Sequence, residues 1–137
     1  MSKYLVFNSV CLKDRDTLIA ALISLGYIRE QITVGQNIRL YGYRGDRRQE
    51  TADVVIRKEF VGGSSNDLGF RLTPDGYVPI ISEYDVGYLA SKHHVDDFSI
   101  GLQVAYTEAA MRQLAESLYG SYTSEQEGQV TRIVIQV

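Results

Sequence analysis

Four side chains able to bind a metal ion stand within five consecutive residues: His93, His94, Asp96 and Asp97. Imidazole nitrogens and carboxylate oxygens are common ligands of zinc and other transition metals. Neighbouring side chains point apart on regular backbone, so at most two could reach one ion without a tight loop. The four are therefore candidate ligands of a metal or enzymatic site. The pattern also fits a solvated loop in which Asp96, Asp97 or Ser99 caps the next helix.

A second group interleaves arginine with tyrosine across a predicted hairpin between residues 39 and 57. Arginine contacts phosphates and tyrosine stacks on bases, so single-stranded nucleic acid is one candidate ligand. The formal net charge of the whole chain is −3, which does not favour such a ligand. The alternative is a polar hairpin whose arginines pair with Asp53, Asp67 or a partner's carboxylates. The candidate binding residues are Arg39, Tyr41, Tyr43, Arg44, Arg47, Arg48 and Arg57.

Charge is unevenly distributed, and the familiar catalytic patterns are missing. Residues 39–58 are net basic and residues 83–127 are net acidic, which can steer a charged partner or a second copy of the chain. No Ser-His-Asp, Cys-His or paired-carboxylate motif has recognisable local context. The sequence therefore predicts a protein that is not an enzyme and carries neither cofactor nor metal.

Length and composition predict the general class. A chain of 137 residues fits one domain, taken as residues 1–137. Its single cysteine cannot form an internal disulfide and is typical of a reducing compartment. No apolar run approaches the roughly 20 residues that span a membrane, and the N-terminus does not resemble a signal peptide. We expect a cytoplasmic protein, or a stromal one if it is plastid-encoded, without membrane contact.

Periodicity predicts alternating strands and helices. Asp14 or Asp16 is expected to cap the first helix and Gly26 to end it. The turn Thr73-Pro74-Asp75-Gly76 predicts a hairpin. Predicted strands cover residues 4–12, 38–43, 52–60, 68–72, 77–81 and 130–137. A loop is predicted over 62–67, an irregular segment over 83–98, a helix over 100–118 ended by Gly120, and a polar connection over 121–128.

These elements define an α+β fold with the order β-α-β-β-β-β-α-β, related to the ferredoxin-like arrangement. We expect a mostly antiparallel sheet of about five to six strands with two helices on one face. The last strand, Val130–Val137, is expected to leave an exposed edge, which favours pairing with another chain and homo-oligomers. The second helix carries a heptad-like stripe formed by Leu102, Ala105, Tyr106, Ala109, Ala110, Gln113, Leu114, Ser117 and Leu118.

Several segments, spread over most of the chain, resemble the same protein family. They are Leu-Gly-Tyr at 25–27, Gly-Tyr-Arg-Gly at 42–45, Ala-Asp-Val-Val-Ile-Arg at 52–57, Asp-Leu-Gly-Phe at 67–70, Ala-Tyr at 105–106 and Glu-Gly-Gln-Val-Thr-Arg-Ile at 127–133. They are similar to the chloroplast hypothetical open reading frame thirty-five proteins and their cyanobacterial and bacterial relatives, a domain of unknown function. The chain departs from them between Val86 and Phe98, where Lys92, His93 and His94 stand in place of aromatic residues.

The resemblance implies no activity, catalytic residue or cofactor, but its members are often encoded near AAA+ ATPases. It therefore implies an AAA+ ATPase as a protein partner, while the charge distribution and the edge strand favour a second copy of the chain. Together with the residue patterns, this predicts a small non-enzymatic binding or assembly module. The alternatives are a nucleic-acid-binding accessory protein that uses the arginine hairpin, and a metal protein or enzyme at residues 93–97.

Overall fold

A computed structural model describes residues 3–119, 122–127 and 130–135 of the chain. The strands are β1 (Tyr4–Val6), β2 (Ile32–Tyr41), β3 (Arg47–Ile56), β4 (Leu68–Thr73), β5 (Gly76–Ser82), β6 (Tyr122–Glu127) and β7 (Val130–Ile135). The helices are α1 (Arg15–Ser24), α2 (Lys58–Val61), α3 (Asp85–Lys92) and α4 (Phe98–Tyr119). Within the described residues the class is α+β, as the sequence predicts.

Five strands form an antiparallel sheet in the order β1-β5-β4-β3-β2. The hairpin predicted at residues 73–76 is confirmed, because Thr73 pairs with Gly76 and the register continues to Gly69 opposite Ile80. Alternate residues of β3 point to opposite faces. Val54 belongs to the main hydrophobic cluster with Leu22 of α1 and Leu102 of α4, so both helices pack on one face of the sheet.

The ends of α1 follow from local chemistry. Asp14 Oδ2 accepts hydrogen bonds from the Thr17 backbone N–H and hydroxyl, both at 2.9 Å, which confirms Asp14 as the cap. These bonds lower the pKa of Asp14 because they favour its charged form. Gly26 follows the helix with a φ of +112°, a conformation that side chains with a Cβ rarely adopt, and so ends it as predicted.

Several predicted boundaries in the middle of the chain are wrong. Residues 83–98 are not irregular throughout, since α3 occupies Asp85–Lys92 with Leu89 fully buried in the main cluster. Periodicity missed this helix because eight residues give too few turns. The strand predicted over 52–60 lies at Arg47–Ile56 and is followed by α2. Asp67 Oδ1 accepts the Lys58 backbone N–H at 2.8 Å, a bond that holds the first residue of α2.

The terminal part of the chain also differs from the prediction. The segment expected to be a polar connection contains β6, and β7 pairs antiparallel with β6 in a separate two-stranded sheet. A two-residue connection joins antiparallel neighbours, and only residues 128 and 129 separate these strands in sequence. Among the described residues β7 pairs along one side only, so it remains an edge strand, but in this separate sheet and not in the main one. Gly120 and the last two residues of that predicted strand lie outside the described residues.

The far half of the β2–β3 hairpin folds across the second face of the sheet. The pairing of β2 with β3 is irregular between Val34 and Ile38. Beyond this point Leu40 and Ala52 lie over Gly69 of β4, so closely that a Cβ on Gly69 would stand 2.8 Å from the Ala52 Cβ. A second hydrophobic cluster fills this side and contains Tyr4, Leu40, Ala52, Val55 and Ile80.

Candidate functional site

The buried carboxylate of Asp67 organises the base of the folded hairpin. Its Oδ2 accepts hydrogen bonds from the Tyr41 backbone N–H at 2.8 Å and from Arg57 Nη1 at 2.7 Å. The Asp67 side chain is 1% exposed, and that of Arg57 is 31% exposed. Arg57 also donates to the Arg39 carbonyl at 3.0 Å. The predicted pairing of an arginine with Asp67 is confirmed, and it ties β2 to the start of β4.

Two more arginines of the predicted site are used inside the hairpin. Arg39 Nη1 donates to the carbonyls of Arg48 and Gln49 at 3.0 and 2.8 Å. The Arg48 guanidinium lies 5.4 Å from the centre of the Tyr4 ring, a distance typical of cation–π contacts. The Tyr4 hydroxyl donates to the carbonyls of Tyr41 and Asp67, each at 3.1 Å. Strand β1 is thereby connected across the sheet to the hairpin.

The remaining candidates stand at or near the hairpin tip. Tyr43, Arg44 and Arg47 are exposed, and Arg44 Nε donates to the Tyr43 hydroxyl at 2.8 Å. The seven residues predicted as one binding group are therefore divided. Arg39, Tyr41, Arg48 and Arg57 support the fold, while Tyr43, Arg44 and Arg47 face solvent. Asp53, also predicted as a partner of arginine, accepts instead from the backbone N–H groups of Asn37 and Leu72.

The loop before β4 carries buried polar residues. Ser65, Asn66 and Asp67 are all buried. Asp85 Oδ2 accepts the Asn66 backbone N–H at 3.0 Å and its amide at 3.2 Å, and Asn66 Oδ1 accepts the Tyr43 backbone N–H at 3.0 Å. The hairpin, this loop and α3 thus share one polar network. Polar loop residues that satisfy backbone donors can be buried without a large penalty.

Burial of Asp85 predicts a specific pH dependence. Desolvation raises the pKa of this carboxyl above its ordinary value, so the folded state retains a proton that the unfolded chain has already released. Ionising Asp85 therefore costs stability as the pH rises from the pKa of this carboxyl in the unfolded chain to its raised pKa in the folded protein. We expect Asp85→Asn, which cannot ionise, to gain stability relative to the unsubstituted chain as the pH rises above about 4, the ordinary pKa of an aspartate. Urea unfolding of both chains at each pH measures this difference; a constant difference would contradict the assignment.

The four candidate metal ligands do not converge. His93 Nε2 lies 3.0 Å from the Tyr27 hydroxyl, and its ring centre is 5.3 Å from that of Phe98. Burial, and then the charge of the neighbouring Lys92, lowers the pKa of His93. Asp97 Oδ1 accepts the Ser99 backbone N–H at 2.8 Å, which confirms one of the three predicted caps of α4.

Asp96 and His94 are exposed, and His94 has a φ of +56°. Among the residues that the structure describes, no three His, Cys, Asp or Glu side chains are arranged to hold a metal ion.

Helix α4 carries apolar residues on two opposite faces. Phe98, Leu102 and Ala105 face the main cluster. On the other side Ile100, Val104, Met111, Leu114 and Leu118 are 63, 53, 44, 56 and 60% exposed. We call the set Ile100, Val104, Thr107, Met111, Leu114 and Leu118 the outer stripe.

The heptad-like stripe predicted for this helix mixed the two faces. Leu102, Ala105 and Ala109 do face the core, but Leu114 and Leu118 project away from it. The outer stripe was detectable in the sequence, because its members follow one another at intervals of four, three, four, three and four residues. That spacing keeps a seam on one side of a helix. Sequence reasoning missed it because an apolar stripe is ordinarily assigned to the core.

Comparison with known proteins identifies the family but no activity. Residues 21–134 match the sequence model of a family described as a protein of unknown function (DUF1257). The chain therefore belongs to that family. No curated protein and no solved structure matches it significantly. The finer resemblance to the chloroplast proteins stays a prediction.

In the portion of the chain covered by the structure, no helix combines the length and the apolar character needed to cross a bilayer.

Proposed function

We propose that this protein is a non-enzymatic binding and assembly module that recognises another protein through the outer stripe of α4. The exposure of five apolar side chains along one helix carries this proposal. Contiguous exposed apolar surface is uncommon on monomeric proteins and marks interaction sites. Burying these side chains against a partner would remove them from water, which is the main driving force of protein association.

The charges on α4 favour a protein over a lipid surface. Helices that lie on membranes carry lysine and arginine along their polar face. Helix α4 instead carries Glu108 and Glu116, and Arg112 is its single basic residue. Anionic lipid headgroups would repel a helix with this net negative charge, whereas an interface with another protein tolerates it.

The arginine hairpin supports nucleic-acid binding less well. Arg39 and Arg57 donate to carbonyls and to Asp67, and those bonds would be lost if the side chains turned towards phosphates. Arg44 and Arg47 remain exposed at the tip, which is a small basic surface on an acidic chain. An accessory role beside an AAA+ ATPase rests on the resemblance alone and is one outcome of the experiment below.

A pair of matched substitutions tests the proposal. Leu114→Glu places a charge in the outer stripe, and Leu72→Glu makes the same change on β4 at a residue with similar exposure, 53% against 56%. Surface substitutions of this kind usually change stability by no more than about 0.5 kcal/mol. We expect Leu114→Glu to abolish, and Leu72→Glu to retain, both self-association and the capture of any defined companion from the native host.

The readouts are mass by light scattering and quantitative comparison of captured proteins for the three chains. Identical masses and identical captured sets for all three would overturn the proposal. Arg44→Glu combined with Arg47→Glu serves as a second control, since it should leave binding through α4 unchanged.

A further inference from the structure

The spacing of the residues in the outer stripe is the same counted from its N-terminal end as from its C-terminal end. Its intervals of four, three, four, three and four residues are symmetric about Ala109. The stripe spans 19 residues of α4, or about 28 Å at 1.5 Å per residue. Seams of this spacing pack as knobs into holes against a second helix of matching spacing. A partner with the same symmetric spacing is available in another copy of this chain.

We infer that α4 packs antiparallel against α4 of a second copy, with a two-fold axis at the level of Ala109; this inference rests on the proposed function. The symmetry places Ile100 opposite Leu118, Val104 opposite Leu114 and Thr107 opposite Met111 of the other copy. Each of these pairs of opposite residues then includes at least one large apolar side chain. The two-fold axis makes the contact self-complementary, as closed dimers require.

The helix dipole favours the antiparallel direction. Antiparallel helices place opposite dipole ends together, which a parallel pair cannot do. The axis places Glu108 opposite Ala110 and Arg112 opposite Tyr106 of the other copy. The pair of Glu108 Oε2 with Arg112 Nη2, 3.9 Å apart within one helix, therefore flanks the contact without having to break.

The core leaves the outer stripe available for this contact. Phe98, Leu102 and Ala109 are 2, 0 and 4% exposed on the inner face, so α4 is held to the sheet without using the outer stripe. A contact made by one helix from each copy is small among stable protein interfaces. We therefore expect a reversible dimer whose fraction increases with protein concentration.

Cross-linking of single cysteines determines the direction of the pair. Ile100→Cys and Leu118→Cys are each made in a Cys11→Ser background, which removes the native thiol. In the antiparallel pair the two Ile100 positions are separated by 18 residues of helix, about 27 Å. A short bis-maleimide reagent should link an equimolar mixture of the two variants and leave Ile100→Cys alone unlinked. Efficient linking of Ile100→Cys alone would indicate a parallel pair and overturn the inference.

Light scattering across a wide concentration range completes the test. We expect the mass to approach twice the 15.4 kDa of one chain, Leu114→Glu to restore the single-chain mass, and Leu72→Glu to behave as the unsubstituted protein. If the protein is a strict monomer and captures a partner that Leu114→Glu no longer captures, the inferred dimer is overturned and the proposed function stands. A strict monomer whose melting temperature falls sharply with Leu114→Glu would overturn both, because the stripe would then be covered within its own chain.

Discussion

Replacement of Asp67 by alanine is expected to destabilise the protein by about 3–5 kcal/mol, the cost typical of removing one partner of a buried ion pair. The reason is that three donors depend on this carboxylate: the backbone N–H groups of Tyr41 and Lys58 and the guanidinium of Arg57. Without it, those donors at the partly buried base of the hairpin lose an acceptor whose own side chain is almost fully buried. Urea unfolding monitored by circular dichroism measures the loss.

The matched control is a solvated carboxylate beside an arginine. Asp16 stands 3.8 Å from Arg15, and its side chain is 79% exposed. Asp16→Ala should cost no more than about 1 kcal/mol, since exposed ion pairs and first-turn charges contribute little. Equal losses for the two substitutions would show that the Asp67 network does not support the fold.

Replacement of Gly69 by alanine is expected to cost about 2 kcal/mol, within the range measured for overpacked sites. The added Cβ would stand 2.8 Å from the Ala52 Cβ and 3.1 Å from a methyl of Leu40. An alanine Cβ is fixed by its own backbone, so β3 would have to move away from β4. The folded half of the hairpin should then separate from the second face of the sheet.

A compensating substitution tests this explanation. Ala52→Gly removes the atom nearest to the new methyl group, so the double variant Gly69→Ala with Ala52→Gly moves one methyl from β3 to β4. We expect the double variant to be more stable than the sum of the two single changes indicates, as contacting residues commonly show. Additive losses would mean that Gly69 is required for some reason other than this close approach.

Local signals account for the parts of the fold that were predicted correctly. Asp14 and Gly26 carry the chemistry that begins and ends α1, and the Pro and Gly of residues 73–76 carry that of the β4–β5 turn. Such signals act within a few residues and need no distant partner. The short helix α3 escaped detection because its formation depends on Leu89 entering the core, and on Asp85 binding Asn66.

The candidate site was predicted less well, because the surroundings of its side chains also depend on residues far away in the sequence. Arg57 and Arg44 belong to the same predicted binding group, but one pairs with a buried Asp67 and the other lies in solvent. Likewise Leu102 and Leu114 both suit an apolar helix face, and only packing assigns the first to the core and the second to the surface. Residue type indicates what a side chain can bind, but not what surrounds it.

By itself, the sequence determined the α+β class, the end of α1, the β4–β5 hairpin and the spacing of the outer stripe, and it limited the cap of α1 to Asp14 or Asp16. These follow from backbone preferences and periodicity, which are properties of neighbouring residues. Only the tertiary structure decided that the β2–β3 hairpin folds over Gly69, that Asp67 gathers donors from Tyr41, Arg57 and Lys58, and that the outer stripe faces away from the core. Those outcomes depend on contacts between residues far apart in the chain, because burial and hydrogen-bond satisfaction are properties of the assembled fold.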